Sequence, residues 1–352
     1  MSDSVLVTGA FGLVGSQTVR RLAHQGHRVV ASDLDIPAHR AAASKLPSGI
    51  DVRWADLTDV AAVEVLVGET SPAAIVHLAA VIPPVIYRNP RLGRTVNVDA
   101  TKLLVSAAER LPEGPRFIQV SSNAVHGARN PYRTDDLLTA DTPVRPCDLY
   151  GAHKVAAENL VRASSLNWVV ARLGGVLSVE SSGNYDLDSL YFGALLPTDG
   201  RVHTVDVRDV ATALTGAVTA EVTGETLFIG GDSTHHLRQG ELAPALASAA
   251  GLVGAMPVGL PGDPDSDSDW FATDWMDTSR AQNVLLFQHH SWSDMLAEVR
   301  TASGWRRYPL RLASPLAKML LQRRAPYRGE RRRFADPWGV IRDRWGEPQP
   351  VG

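Results

Sequence analysis

Two groups of residues carry types and spacings that can do chemistry. Tyr150-Gly151-Ala152-His153-Lys154 sets a phenol and an ammonium four residues apart. On a helix those two positions share a face. The ammonium favours the phenolate, so the tyrosine pKa is expected to fall from about 10. Such a tyrosine serves as general acid or base toward a hydroxyl or carbonyl group. The second group is Thr8-Gly9-Ala10-Phe11-Gly12-Leu13-Val14-Gly15. Its glycines permit a tight turn, close backbone approach to a pyrophosphate and close helix packing. The exposed N–H groups and the helix dipole favour the phosphate charge. Asp33, at the end of the next predicted strand, can accept both ribose hydroxyls of NAD and would repel the 2′-phosphate of NADP. Asp35 adds negative charge and Arg40 offsets part of it, so NAD rather than NADP is expected.

The elements that must hold these groups alternate. Strands are predicted at Ser4–Thr8, Arg28–Asp33, Asp51–Trp54, Ala73–Leu78, Arg116–Ser121 and Trp168–Arg172. Helical patterns fill the gaps at Leu13–Gln25, Ala38–Leu46, Val60–Val67, Leu92–Arg110 and Leu149–Ser164. This alternation predicts an α/β fold, a doubly wound parallel Rossmann sheet covered on both faces. Beyond Arg172 the pattern loosens. Ser178–Gly200 reads as a loop-dominated lobe, Val205–Thr219 as a helix and Thr226–Ile229 as a strand. Three parts are expected: a dinucleotide-binding domain over 1–175, its sheet completed from 200–232; an interleaved, smaller substrate lobe over 176–304; and a basic extension over 305–352.

Composition narrows the function classes. Apolar residues are 44% and charged residues 21% of the 352, as in an ordinary globular protein. The net charge of −3 gives no global attraction for nucleic acid. One cysteine, Cys147, excludes an internal disulfide framework, and no spacing of ligands points to a metal. No apolar run is long enough to span a membrane, and the first ten residues lack a secretory pattern, so a cytoplasmic protein is expected. From Trp305 onward the chain holds twelve Lys/Arg and four Asp/Glu, a local net of +8. That tail has apolar residues at Leu310, Leu312, Leu316, Met319, Leu320 and Leu321. Packing on its own domain or in a dimer is the expectation; an amphipathic contact with a membrane surface and disorder are the alternatives.

GAFGLVG and YGAHK, in this order and separation, resemble the extended short-chain dehydrogenases/reductases, the NAD-dependent epimerase/dehydratase family. The resemblance runs from about Ser4 to Arg300. Asp56-Leu57 resembles the family's adenine-contacting dipeptide, His77-Leu78-Ala79-Ala80 its H-x-A-A segment, and Val96-Asn97 its asparagine-bearing turn. Val120-Ser121-Ser122, followed by Val125-His126-Gly127, resembles the strand end that supplies the catalytic serine. Thr204 to Ala211 resembles the V-x-V-x-D-V-A segment of the substrate lobe.

The resemblance implies that Ser122 hydrogen-bonds the reacting oxygen, Tyr150 shuttles the proton, and Lys154 binds the nicotinamide ribose. It implies a cofactor set of Gly9, Phe11, Gly12, Leu13, Gly15, Asp33, Asp56, Leu57, Leu78, Ala79, Ala80, Asn97 and Val120, with Tyr150 and Lys154. Substrate contacts would be Ser122, Asn123, His126 and Gly175, and the assembly a homodimer through two helices per subunit.

The departures shape the expected reaction. His126 stands where many sugar-modifying members have tyrosine, and Arg172-Leu173-Gly174-Gly175 lacks the asparagine of the family's R-x-x-N. Only Arg201 and Arg208 lie near the lobe as cations for a diphosphate. Tyr185, Leu187, Leu190, Tyr191, Phe192 and Leu195 read as an apolar pocket wall or as core of the lobe. The expected function is an NAD-dependent oxidoreductase interconverting a secondary alcohol and a ketone, on a small substrate either apolar or sugar-like. Its rivals are a nucleotide-sugar epimerase or dehydratase without net redox change, and a non-catalytic dinucleotide sensor.

Overall fold

The computed structural model describes residues 4–180, 187–329 and 331–349. Ten strands occur among them: β1 (Ser4–Thr8), β2 (Arg28–Asp33), β3 (Asp51–Trp54), β4 (Ala74–His77), β5 (Arg116–Ser122), β6 (Asn167–Leu173), β7 (Gly175–Leu177), β8 (Arg201–Asp206), β9 (Glu225–Ile229) and β10 (His236–Arg238). Seven make one parallel sheet in the order β3-β2-β1-β4-β5-β6-β9. The order reverses between β1 and β4, and a crevice opens there above the carboxyl ends of the strands.

The strands are apolar on both sides because helices cover both faces. Val5 and Val7 enter one core with Val29, Ala31, Val76 and Ile118, beneath the Leu13–His24 and Val207–Ala217 helices. Leu6, Val30, Ile75 and Phe117, one residue out of step, enter the other with Leu66 and Leu104 from the Val60–Thr70 and Ala100–Glu109 helices. Successive side chains of a strand point to opposite faces, so two cores form from one run of residues. The doubly wound parallel sheet is therefore the fold.

Three elements differ from the sequence expectation. The helix predicted over Leu92–Arg110 is broken into Pro90–Arg94, a π-helical turn Thr95–Asp99, and Ala100–Glu109. The helix predicted over Val205–Thr219 begins later: β8 holds Val205 and Asp206, and the helix is Val207–Ala217. In a three-stranded sheet the first half of β8, Arg201 to His203, pairs with β10 and the second half, Thr204 to Asp206, with β7; Asp206 then caps the helix by accepting from the Arg208 amide. Ser178–Gly200 holds a helix, Leu187–Leu195, where a loop was predicted.

The basic extension has two fates. The Pro337–Trp345 helix buries Trp338, Ile341 and Trp345 against Tyr87, Leu149 and Phe192, and the Pro348 carbonyl accepts from the Leu149 amide at 2.7 Å. Arg344 lays its guanidinium over the Tyr191 ring. This part wraps its own domain. The Arg307–Arg323 helix does not: Ser314 is its one buried residue. No helix among the described residues is long and apolar enough to cross a membrane.

Candidate active site

The glycine-rich turn is folded back against the end of β4. Gly9 has φ of +67°, and a Cβ there would lie 2.7 Å from the Ala79 amide nitrogen. A Cβ on Gly15 would meet the Gly9 carbonyl oxygen at 2.1 Å. Only glycine lets the Leu13–His24 helix start this close to the turn. Gly12 caps that helix without a side-chain acceptor, and its first turn holds no acid, so its leading amides are available to an anion.

Asp33 ends β2 beside this turn. Its Oδ2 accepts from the Phe11 amide at 3.1 Å and its Oδ1 from the Leu34 amide at 2.9 Å. A carboxylate has about four acceptor positions, so ribose hydroxyls can still be accommodated. A cavity of about 330 Å³ is lined by Gly9, Gly12, Asp33, Asp56, Leu57, Leu78, Ala79 and Ala80. Arg40 pairs with Asp35 at the surface and adds no cation to this cavity.

Two residues expected at the cofactor sit behind it. The Phe11 ring is buried 5.3 Å from the Trp54 ring, and its amide is given to Asp33. Asn97, in the π-helical turn, is buried. Its Oδ1 accepts from the Val81 amide at 2.7 Å and its Nδ2 donates to the Val81 carbonyl at 2.8 Å. Val81 lines the cavity; Asn97 holds Val81 in place.

The second cavity, about 460 Å³, shares Gly9, Gly12, Leu78 and Ala80 with the first, which makes one elongated cleft. Leu13, Gly15, Val120, Ser122, Asn123, Tyr150, Lys154 and Gly175 line it. Ser122 ends β5, where its Oγ accepts from the Ala124 amide at 3.2 Å, and it lines the same cavity as the Tyr150 phenol. Tyr150 and Lys154 lie one turn apart on the Leu149–Arg162 helix. Asn123 leaves its buried Nδ2 without a partner at the cavity wall.

The electrostatics depart from the sequence reading in one respect. Among the protein's own groups, burial dominates Tyr150 and pushes its phenol above the ordinary value; the nearby Ser122 hydroxyl opposes this and Asp148 adds to it. Lys154 does not point at the phenol. It donates to the Val120 carbonyl at 2.8 Å, with its Nζ 5.7 Å from the centre of the Tyr150 ring. Burial lowers Lys154 to about 8, against an upward pull from Glu158. The expected fall of the tyrosine pKa is therefore not produced by these residues alone. Asp148 caps the same helix through the Gly151 amide and accepts from the Tyr87 hydroxyl at 2.7 Å; burial raises its pKa.

His126 is not brought to the cleft. It is buried behind it, with Nε2 3.1 Å from Arg172 Nη1 and Nδ1 3.3 Å from the Pro143 carbonyl. Burial, followed by the Arg172 charge, lowers it to about 4. It faces a separate cavity with Arg129 and Arg145. Of the predicted apolar wall, Phe192 lines the cleft, Leu190 and Tyr191 line another cavity, and Leu195 is core. Tyr185 and the side chain of Leu187 lie outside the described residues. Sequence reading missed Ile82 and Pro83 in the loop after β4, and Phe271, Ala272 and Thr273, which arrive from a distant loop without any motif.

The cleft fits a dinucleotide: a carboxylate at one end, uncapped helix amides in the middle, and the Ser122, Tyr150 and Lys154 side chains at the other. Comparison with known proteins agrees with that geometry. D-erythronate dehydrogenase of Cupriavidus necator is 31% identical over 170 residues, 45% of this chain and 49% of its own. dTDP-glucose 4,6-dehydratase of Neisseria gonorrhoeae is 32% identical over 261 residues, 65% of this chain and 72% of its own. The chain thus spans about half the length of one curated relative and under three quarters of the other. The structure of Thermus thermophilus UDP-glucose 4-epimerase with NAD superposes with a TM-score of 0.69 at 22% identity, covering 85% of this chain and 98% of that one. The family model of the NAD-dependent epimerases/dehydratases matches residues 5–230, from the first strand of the glycine-rich turn to the end of β9. By that match the chain belongs to the NAD-dependent epimerase/dehydratase family, an enzyme family of the extended short-chain dehydrogenase/reductase type.

Proposed function

We propose that this chain is an NAD-dependent oxidoreductase that interconverts a secondary alcohol and a ketone on a small, partly apolar substrate. The observation that carries the choice of substrate is charge. Among the described residues that line the catalytic cavity, Lys154 is the sole Lys or Arg. Arg201 is buried outside that cavity, its Nη1 3.7 Å from Asp274 and its guanidinium over the Trp275 ring, and Arg208 is paired with Asp206 and Glu298. A diphosphate would find no guanidinium fork there. Ile82, Phe192 and Phe271 offer apolar surface, and Asn123 Nδ2 offers a donor.

In this reading Ser122 orients the reacting oxygen and Tyr150 takes or returns its proton. Lys154 holds positive charge beside the ribose and the phenol. Bound NAD supplies the hydride acceptor and donor. Residues 1–175 with β9 form the cofactor domain, 176–304 the remainder of the substrate lobe, and 305–352 an appended segment. We place the enzyme in the cytoplasm, as a homodimer.

A second reading, a nucleotide-sugar epimerase or dehydratase with no net redox change, is favoured by the breadth of the match to the dTDP-glucose dehydratase. The test is to denature the purified protein, quantify the nicotinamide nucleotide released per chain, and screen alcohols and ketones at the NADH absorbance. Little retained NAD, with substrate-dependent NADH formation, is expected. Near-stoichiometric NAD with no alcohol or ketone turned over would establish the second reading instead.

A further inference from the structure

The Arg307–Arg323 helix is used neither by the fold nor by the site. It touches the body through the Arg307 backbone, which packs on Gly251, through Ser314, whose hydroxyl donates to the Gly251 carbonyl at 3.4 Å, and through Leu321, which helps close a cavity of about 400 Å³. At about 3.6 residues per turn, Tyr308, Leu312, Leu316, Met319 and Leu320 fall on one face. All five are exposed, Leu312 by 85% and Leu316 by 57%, and Trp305, 75% exposed, precedes them. Arg307, Arg311 and Lys318 run along the flank of this face; Arg306 stands before the helix and Arg323, Arg324 and Arg328 stand at its end. Residues 299–329 contain no Asp or Glu.

We propose that this helix lies on the surface of a bilayer rich in anionic lipid. The leucines and Trp305 enter the boundary of the acyl region and the cations lie among the head groups. Charge decides between this occupant and a second copy of the helix. A symmetric partner would bring the same cationic flank, with no acid in 299–329 to answer it. An anionic lipid surface complements it without rearrangement. The helix is too short and too charged to span, so it lies flat. The dock is one helix away from the catalytic cavity: Leu187–Leu195 sends Phe192 into that cavity, and Leu190, Tyr191 and Ala194 into the one closed by Leu321 and Arg324. This proposal does not depend on which substrate the cavity takes.

The test is co-sedimentation of the full chain with vesicles of phosphatidylcholine, alone or mixed with phosphatidylglycerol, at rising salt. Binding to the mixed vesicles alone is expected, and salt should release it. Leu312→Glu with Leu316→Glu should abolish it while NAD binding is retained, which shows that the variant is folded. Arg311→Gln and Lys318→Gln should each weaken it on the order of fivefold. Absence of binding to anionic vesicles at low salt overturns the proposal, as does binding that the double glutamate variant leaves intact. Self-association that the same variant abolishes, without vesicle binding, overturns it in favour of a second copy.

Discussion

The Lys154 ammonium lies 5.7 Å from the centre of the Tyr150 ring and gives its hydrogen bond to the Val120 carbonyl instead of the phenol. Burial lowers its pKa to about 8. Below that pH the ammonium is charged and opposes the burial that keeps the phenol protonated; above it the charge is gone. We expect kcat/KM to fall through an alkaline limb near pH 8. Lys154→Arg should move that limb out of range, because a guanidinium stays charged. Lys154→Met should lose about two orders of magnitude or more in turnover. A wild-type profile with no limb below the pKa of free lysine would refute the assignment.

The same charge works against folding. The folded pKa of about 8 lies below the ordinary 10.5, so the unfolded chain holds the proton more tightly. Below pH 8 both states are protonated and the full cost is present. It is relieved as pH rises from about 8 to 10.5, on the order of 3 kcal/mol in all. Lys154→Met removes that cost but orphans the Val120 carbonyl, which returns about 1–2 kcal/mol of it. The variant should be inactive yet more stable by about 1 kcal/mol at pH 7, a rise in Tm of roughly 2 °C. A lower Tm would mean that the ammonium is well compensated where it lies.

Asn97 reaches the cofactor cavity only through Val81. Asn97→Ala leaves both polar groups of that backbone unit without their partner, a loss of about 2 kcal/mol. A positioning role predicts a KM for NAD raised about tenfold while kcat stays within a few-fold. Asn97→Asp keeps the acceptor for the Val81 amide and should fall between. If kcat collapsed and KM held, Asn97 would belong to the chemistry rather than to the cleft wall.

How much of this was legible follows from which residues act locally. The two-faced strands announce themselves because adjacent residues such as Val5 and Leu6 serve opposite cores. Glycines 9, 12 and 15 and the Tyr150–Lys154 pair are read within a single turn. The direction of Lys154 was not legible, since Val120 lies 34 residues away on β5. The same holds for Phe271 and Thr273, which reach the cleft from a loop with no periodicity. His126 was misplaced because it follows β5 closely in sequence, while its ring is drawn toward Arg172 and Phe228. The apolar residues of the tail gave amphipathicity correctly, yet nothing in them tells the packed 337–345 helix from the exposed 307–323 one.

Asp33 answers both to the Phe11 amide and, in the proposed complex, to the adenosine ribose. Asp33→Ala should weaken NAD by about ten- to a hundredfold, from loss of charged hydrogen bonds. NADP should weaken less, since its 2′-phosphate no longer meets a carboxylate. The measurement is the ratio of kcat/KM for the two cofactors. An unchanged ratio would place the discrimination on Asp35, Asp56 or the backbone.

Glu158 is the hub behind the proposed catalytic groups. Its carboxylate accepts from Ser121 Oγ at 2.6 Å and from Arg172 at 2.7 and 3.0 Å, all buried, and it follows Lys154 by one helical turn. Burial pushes its pKa up, but the hydrogen bonds and charge of Arg172, with Ser121 and Arg162, outweigh that and hold it below the ordinary 4.5. A lowered folded pKa contributes stability above the unfolded pKa and loses it as pH falls through the folded one. Glu158→Gln leaves Arg172 buried without its counter-charge, at a cost of about 3–5 kcal/mol. The variant should be less stable at pH 7 and should lack this part of the wild-type loss below pH 4.5. It should also move the alkaline limb below 8, because Glu158 is what raises Lys154. A shift in Tm without a shift in the limb would confine Glu158 to the fold. A shift in both would make it the residue through which the Arg172 pair sets the charge of Lys154.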